Sequence, residues 1–286
     1  MWHTQTAAVI GSGHKNQGLP CQDRTWSMTA HGVTVIALAD GAGSAPLSHE
    51  GAEIAVQTIC KTLCGQFDEL YASTSPMEMR LKALREVRQN ISSHAAERNM
   101  DMSCFACTLL AVAVRGDEYL LVHVGDGVIA YQKNGKLLVA SHPQNGEFAN
   151  TTTFVTAGSA LQKAKVLRGK QPDLEGFALM SDGCEAALYQ KKKATAAPLI
   201  GRLFQRAELL EAKTSETLLQ VVLEHTVSPH TRDDCSLAVM TRKGKNDIPW
   251  VQMQPRTKAA VLGVATGNRN RRRRAIRKYA RLFGAT

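Results

Sequence analysis

The 286-residue chain predicts an α+β fold, two packed antiparallel β-sheets flanked by helical hairpins in an αββα sandwich. Two observations carry this reading. Apolar runs of strand length come in blocks separated by turn residues, and helix-period stretches lie between the blocks rather than after every strand. A doubly wound sheet needs regular β-α-β alternation, and this order lacks it.

The first strands fall at 6–12, TAAVIGS, and 33–40, VTVIALAD, joined by a polar loop that carries Cys21-Gln22-Asp23-Arg24. A helix starting near Pro46 or Leu47 places Ala52, Ala55, Val56, Ile59 and Leu63 on one side. A second runs over about 76–98, with Pro76 in its first turn and Met79, Leu84, Val87 and Ile91 as apolar positions. An antiparallel meander follows: 108–115, a tight Arg-Gly-Asp turn, 118–126, then 129–140 with Asn134-Gly135 as a hairpin signal. Residues 141–160 are polar and read as a loop with a short strand. GFALMSD at 176–182 is the next strand. Helices at roughly 184–191, 196–212 and 214–226 precede the last strand, CSLAVMTR at 235–242.

Charge divides the chain. The net +10 comes from the end: from Arg242 onward there are 13 Lys or Arg and one acid, which leaves 22 basic and 24 acidic residues before it. The expected organisation is a domain over 1–242 and a basic tail over 243–286. In that tail Ile276, Tyr279, Ala280 and Phe283 space a short amphipathic helix. Such a tail suits an acidic partner, nucleic acid or an anionic surface, with a solvated extension as the plainer reading. No basic start followed by an apolar stretch opens the chain, and no apolar run is long enough to span a membrane. The expectation is a soluble, cytoplasmic monomer.

Seven cysteines, an odd number, argue against a disulfide framework. Cys104 and Cys107 form a C-x-x-C in what reads as a strand, where they would face opposite ways. Cys60 and Cys64 share a helical face. Buried packing is the expected role of these thiols, ahead of a zinc site; Cys21, Cys184 and Cys235 adjoin acidic motifs and raise a redox reading as well.

Five aspartates hold the chemical information: Asp23, Asp40, Asp126, Asp182 and Asp233, in CQDR, LADGAGS, HVGDG, MSDG and RDDCS. Each stands at the end of an apolar run. Carboxylates at buried strand ends are costly without positive charge, and an all-oxygen set spread along the chain suits Mg²⁺ or Mn²⁺ rather than zinc.

These motifs, with GEFANTT at 146–152, resemble the metal-dependent serine/threonine protein phosphatases of type 2C, in particular their compact bacterial branch. The resemblance covers about residues 6–241. It implies hydrolysis of phosphoserine and phosphothreonine by water activated at a dinuclear Mg²⁺ or Mn²⁺ centre, with a third ion in some members. By position, Asp40 would bridge two ions, the Gly41 carbonyl would bind one, and Asp182 and Asp233 would complete the first. Asp23 and Asp126 match the remaining acidic positions, and Gln22 replaces a glutamate that contacts metal-bound water. The family's phosphate-binding arginine is Gly18 here, and the histidine that often follows Asp-Gly is Ala42. His14 is the candidate phosphate contact or acid, with Lys15 and His49 as alternatives. His142 is given no role. Phosphorylated proteins and a cognate Ser/Thr kinase are the implied partners. A weakly active or non-catalytic phosphoprotein-binding module is the alternative.

Overall fold

The computed structural model describes residues 2–144, 152–210 and 212–242. One five-stranded sheet has the order β1 (Trp2–Val9), β12 (Cys235–Arg242), β9 (Leu174–Met180), β6 (Val128–Lys133), β7 (Lys136–Ser141). The other runs β2 (Arg24–Ala30), β3 (Val33–Ala39), β4 (Leu109–Arg115), β5 (Glu118–Val124), β8 (Lys165–Lys170). Every pairing within them is antiparallel. The expected αββα sandwich is what forms.

The central strands are apolar on both faces because each face packs on a different layer. In β3, Ile36 and Leu38 meet Leu110, Val112, Phe177, Leu179 and Met240 between the sheets. Val33, Val35, Ala37 and Ala39 turn outward onto α2 (Ser48–Gly65) and α4 (Pro76–Glu97). On the far side, Leu237 and Val239 of β12 pack beneath α7 (Pro198–Leu209) and α8 (Ala212–Val222). Each fully buried Leu, Ile or Val contributes roughly 1.5–3 kcal/mol.

Local signals set the boundaries. The Ser75 hydroxyl accepts the Glu78 N–H at 3.3 Å and Pro76 opens α4, so that helix starts where its sequence says. Asn134 and Gly135 both take positive φ, 49° and 69°, as a type I′ hairpin between β6 and β7 demands.

Several expectations need correction. The first strand is Trp2–Val9 rather than 6–12, because it pairs along the whole of β12 from Trp2 opposite Arg242 to Val9 opposite Cys235. The loop to β3 holds a short helix, α1 (Ser12–Gln17), and strand β2, joined to β3 by His31 and Gly32 at φ 53° and 73°. The helix expected at 184–191 shrinks to α6 (Glu185–Leu188). It gives way to a small hairpin of β10 (Tyr189–Gln190) and β11 (Thr195–Ala196). Helix α7 stops at Leu209, and α8 ends at Val222 before a looser helical turn, Leu223–Val227. A short α3 (Phe67–Ala72), α5 (Ala160–Lys163) and β8 complete the fold. Cys104 lies in a 3₁₀ turn, Met102–Phe105, and Cys107 in a single bridge to Gly41, so the C-x-x-C precedes β4 rather than lying in it. Cys60 and Cys64 are buried on one face of α2. The 146–151 part of GEFANTT and the whole of 243–286 lie outside the described residues.

Candidate metal centre

Register brings the acidic motifs to one end of both sheets. Arg24 pairs with Ala39, which sets Gln22 and Asp23, just before β2, beside Asp40, just after β3. Leu109 pairs with Val124, so Asp126 leaves β5 on the same edge. In the other sheet Met180 lies opposite both Val128 and Leu237, which places Asp182 and Asp233 there too. A cleft of about 290 Å³ opens between these ends, lined by His14, Gln22, Asp40, Gly41, Asp126, Asp182 and Asp233. Seven of the eight candidates meet there. The eighth, Asp23, is 1% exposed and does not line the cleft.

Backbone geometry holds the motifs in place. Thr108 exchanges two bonds with Asp40: its N–H donates to the Asp40 carbonyl at 2.8 Å and its hydroxyl accepts the Asp40 N–H at 2.9 Å. Gly41 has no room for a side chain, since a Cβ would stand 2.8 Å from the Ser48 Oγ. Gly125 takes φ 118°, and a Cβ there would meet Thr108 at 2.6 Å. Asp126 accepts a hydrogen bond from the Thr152 hydroxyl.

The electrostatics are those of acids crowded away from water. Burial raises the pKa of Asp40 well above the carboxylate range, and Asp23, Asp182 and Asp233 add to the rise. Burial likewise raises Asp182, opposed by a side-chain hydrogen bond from Asp40. Asp23 is pushed up to about 7 by burial; the hydroxyls of Ser236 and Ser181 oppose that shift and nearby Asp234 and Asp182 reinforce it. Among the described residues no Lys or Arg lines the cleft. Asp182 Oδ1 and Gln22 Oε1 are buried without a hydrogen-bond partner among the described residues.

Such a set of unpartnered oxygen acceptors fits a hard divalent cation, which supplies the missing charge and donor. Among the described residues no three carboxylate, imidazole or thiol side chains stand in a ready-made ligand cage. Asp40 and Asp182 instead stand close enough to shift each other's titration.

A family model for protein phosphatase 2C matches residues 10–224. The chain belongs to the protein phosphatase 2C family. Serine/threonine-protein phosphatase 3 of Escherichia coli (strain K12) is 24% identical over 250 residues, 83% of this chain and 97% of that one. Among solved structures, a sex-determining protein of C. elegans superposes with TM-score 0.60 at 12% identity. It covers 84% of this chain, which spans 65% of that protein. The serine/threonine phosphatase PstP of Mycobacterium tuberculosis gives 0.56 at 14% identity, covering 85% of this chain and 99% of that one.

As a protein phosphatase 2C member the chain departs from type at the positions already noted, and the structure shows what occupies them. Gly18 caps α1 at φ 68°, a left-handed position that favours glycine. The Ala42 N–H donates to the Ala106 carbonyl at 2.9 Å. His14 lines the cleft with Nδ1 3.0 Å from Asp234 Oδ2. His49 is half-buried outside the cleft, and His142 bonds the Tyr189 hydroxyl at 2.9 Å.

Sequence reasoning missed Asp234. It is 2% exposed, and its carboxylate accepts the Gly11 N–H at 2.7 Å and the Gln22 N–H at 2.5 Å. The doubled aspartate in RDDC was the available signal: of two adjacent acids at a strand start, opposite sidedness sends one to the cleft and one inward. Of the cysteines near the site, Cys184 and Cys235 are buried packing groups and Cys21 is half-buried. Cys184 Sγ contacts the Ser236 carbonyl and Cys235 Sγ the Gly183 carbonyl, while burial lifts the Cys21 thiol to about 12. No described helix is long and apolar enough to cross a membrane.

Proposed function

We propose that this protein is a metal-dependent serine/threonine phosphatase, hydrolysing phosphoserine and phosphothreonine in proteins at a centre for two Mg²⁺ or Mn²⁺ ions, with a third in reach of Asp126. The observation that supports this most is the convergence of Asp40, Asp126, Asp182 and Asp233 on one cleft whose described lining holds no basic side chain other than His14. The ions would be held by Asp40, the Gly41 carbonyl, Asp182 and Asp233, with Asp23 beneath. They would supply acidity for a nucleophile derived from water and charge for the phosphoryl oxygens.

The chain's own groups do the rest. The unpartnered Gln22 Oε1 accepts a hydrogen bond from water and orients it. His14, steadied by Asp234, offers Nε2 to a phosphoryl oxygen or to the departing serine oxygen. Nothing here requires a covalent enzyme intermediate.

The test is phosphate release from a phosphoserine peptide with and without Mn²⁺, in the wild type and in Asp40→Asn and Asp182→Asn. Dependence on metal and a loss of at least about 100-fold in both variants are expected. A metal-loaded wild type without turnover would reject the reading and leave a phosphoprotein-binding module in its place.

The catalytic unit is proposed to be 1–242, because β12 pairs β1 and β9 along its length and ends at Arg242. Removing 243–286 should then leave hydrolysis of small phosphoesters intact.

A further inference from the structure

Beside the carboxylate cleft lies a larger open cavity of about 600 Å³, and Asp182 lines both. The two are therefore neighbours on one surface. The second is dominated by Lys191, Lys192 and Lys193, with Glu185, Tyr189 and Thr231 among its walls.

The three lysines form the turn of the small β10–β11 hairpin, and that turn is anchored. Tyr189 is 8% exposed and its hydroxyl meets His142 Nδ1 at 2.9 Å. Tyr189 and Gln190 pair with Ala196 and Thr195, and the Ala197 N–H returns to the Leu188 carbonyl at 2.7 Å. Ala194 closes the turn at φ 53°, a strained value for a residue with a Cβ. A run of lysines in a flexible loop is ordinary; a run on a pinned turn facing a cavity is a surface with a shape.

The charges are not all used internally. Lys191 Nζ lies 2.6 Å from the Glu185 carboxylate, which neutralises it. Its pKa is raised first by that hydrogen bond and, in smaller part, by Asp182 and Asp126, so the ammonium group feels the acidic cleft. Lys192 and Lys193 have no ion pair among the described residues. Asp182 would be neutralised by metal. The cavity then carries two uncompensated positive charges beside a cleft whose described lining holds no Lys or Arg.

Resting on the phosphatase reading, we infer that this cavity is a substrate subsite for anionic side chains flanking the phosphorylated residue. The ligand is an acidic segment of the substrate polypeptide, whether its charge comes from Asp and Glu or from a second phosphate. The site selects among phosphoproteins, whereas the metal cleft acts on the phosphoryl group they share. Exposed pairs of this kind contribute about 2.2- to 4.5-fold each, so two lysines predict a preference of roughly 5- to 20-fold. The effect belongs in KM and weakens with salt.

The experiment compares two phosphoserine peptides, one flanked by alanines and one by aspartates, plus a doubly phosphorylated version. The proteins are the wild type and Lys192→Glu/Lys193→Glu, with Lys192→Gln/Lys193→Gln in case charge reversal disturbs folding. p-Nitrophenyl phosphate hydrolysis reports whether the metal centre is assembled. Wild type should favour the acidic peptides 5- to 20-fold through KM, and the double variants should erase that ratio. Equal KM values in the wild type, or an undiminished ratio in variants that still cleave p-nitrophenyl phosphate, would overturn the inference. Binding of non-hydrolysable phosphonate versions, followed by fluorescence anisotropy, decides the matter even if no peptide is turned over. In that event the phosphatase reading fails while the subsite stands or falls on its own.

Discussion

Asp234 accepts the backbone N–H of Gln22 at 2.5 Å across 212 residues of sequence, and so ties the start of β12 to the start of β2. The same carboxylate takes the Gly11 N–H at 2.7 Å and stands 3.0 Å from His14 Nδ1. Truncation to alanine leaves two buried N–H groups unpaired, each worth about 1–3 kcal/mol. Asp234→Ala should therefore lose about 2–6 kcal/mol by denaturant titration. Its phosphatase activity should fall beyond what the lost stability explains, because Gln22 and His14 lose their support. Asp234→Asn keeps one acceptor and should fall between.

Stability of the metal-free protein should depend on pH through opposing groups. Asp23 moves from an ordinary 3.8 to about 7 because burial disfavours its charge. Its folded pKa lies above the unfolded one, so its contribution is full below 3.8 and is lost as pH rises through 7. His123 has the other sign: burial drops it from 6.5 to about 3, with Nε2 2.9 Å from the Gly125 carbonyl and Nδ1 2.7 Å from Ser141 Oγ. Its contribution is present above 6.5 and is lost as pH falls through 3. A raw melting curve mixes the two, so the informative quantity is the difference between Asp23→Asn and wild type in chelator. That difference should favour the variant at pH 8, by up to about 4 kcal/mol, and shrink toward pH 5. A difference that does not vary with pH would contradict the shift.

Two glycines of α2 should respond to alanine with opposite signs. A Cβ on Gly51 would run into the Phe105 backbone carbonyl, which cannot swing aside. Alanine gains about 1 kcal/mol of helix propensity but overpacking against backbone costs roughly 1–3 kcal/mol or more. Packing wins, and Gly51→Ala should lower the melting temperature. Gly65, at the end of the same helix, faces open space. There only propensity counts, and Gly65→Ala should stabilise by a few tenths to about 1 kcal/mol.

How much of this could be read from sequence follows from where each strand lies. β3, β4, β9 and β12 are buried on both faces, so their apolar runs announce them. β2 and β8 are edge strands, RTWSMTA and KVLRGK, whose exposure removes the hydrophobic signal. For β2 the His31-Gly32 turn was the overlooked cue. The acidic site was legible because motif order survives as spatial convergence through antiparallel register. Asp234 was not, since inward and outward acids look alike until a strand fixes their sides. The lysine turn at 191–193 was hidden because KKK reads as a solvated helix end until Tyr189 pairs with Ala196.

Metal binding should expel a proton. Asp40 and Asp182 shift each other's titration, and burial raises Asp40 well above the usual carboxylate range, so the acid form persists to higher pH there. A divalent ion needs both as anions, so binding and deprotonation are coupled. Titrating Mn²⁺ into the protein near pH 6.5 in buffers of different ionisation enthalpy should show release of one or more protons per protein. Apparent affinity should rise with pH over the same range. Asp40→Asn removes one of these acids, so any remaining binding should show a smaller buffer dependence. Wild-type binding with no proton release would mean that the pair is already ionised, and the electrostatic account of this cleft would have to be abandoned.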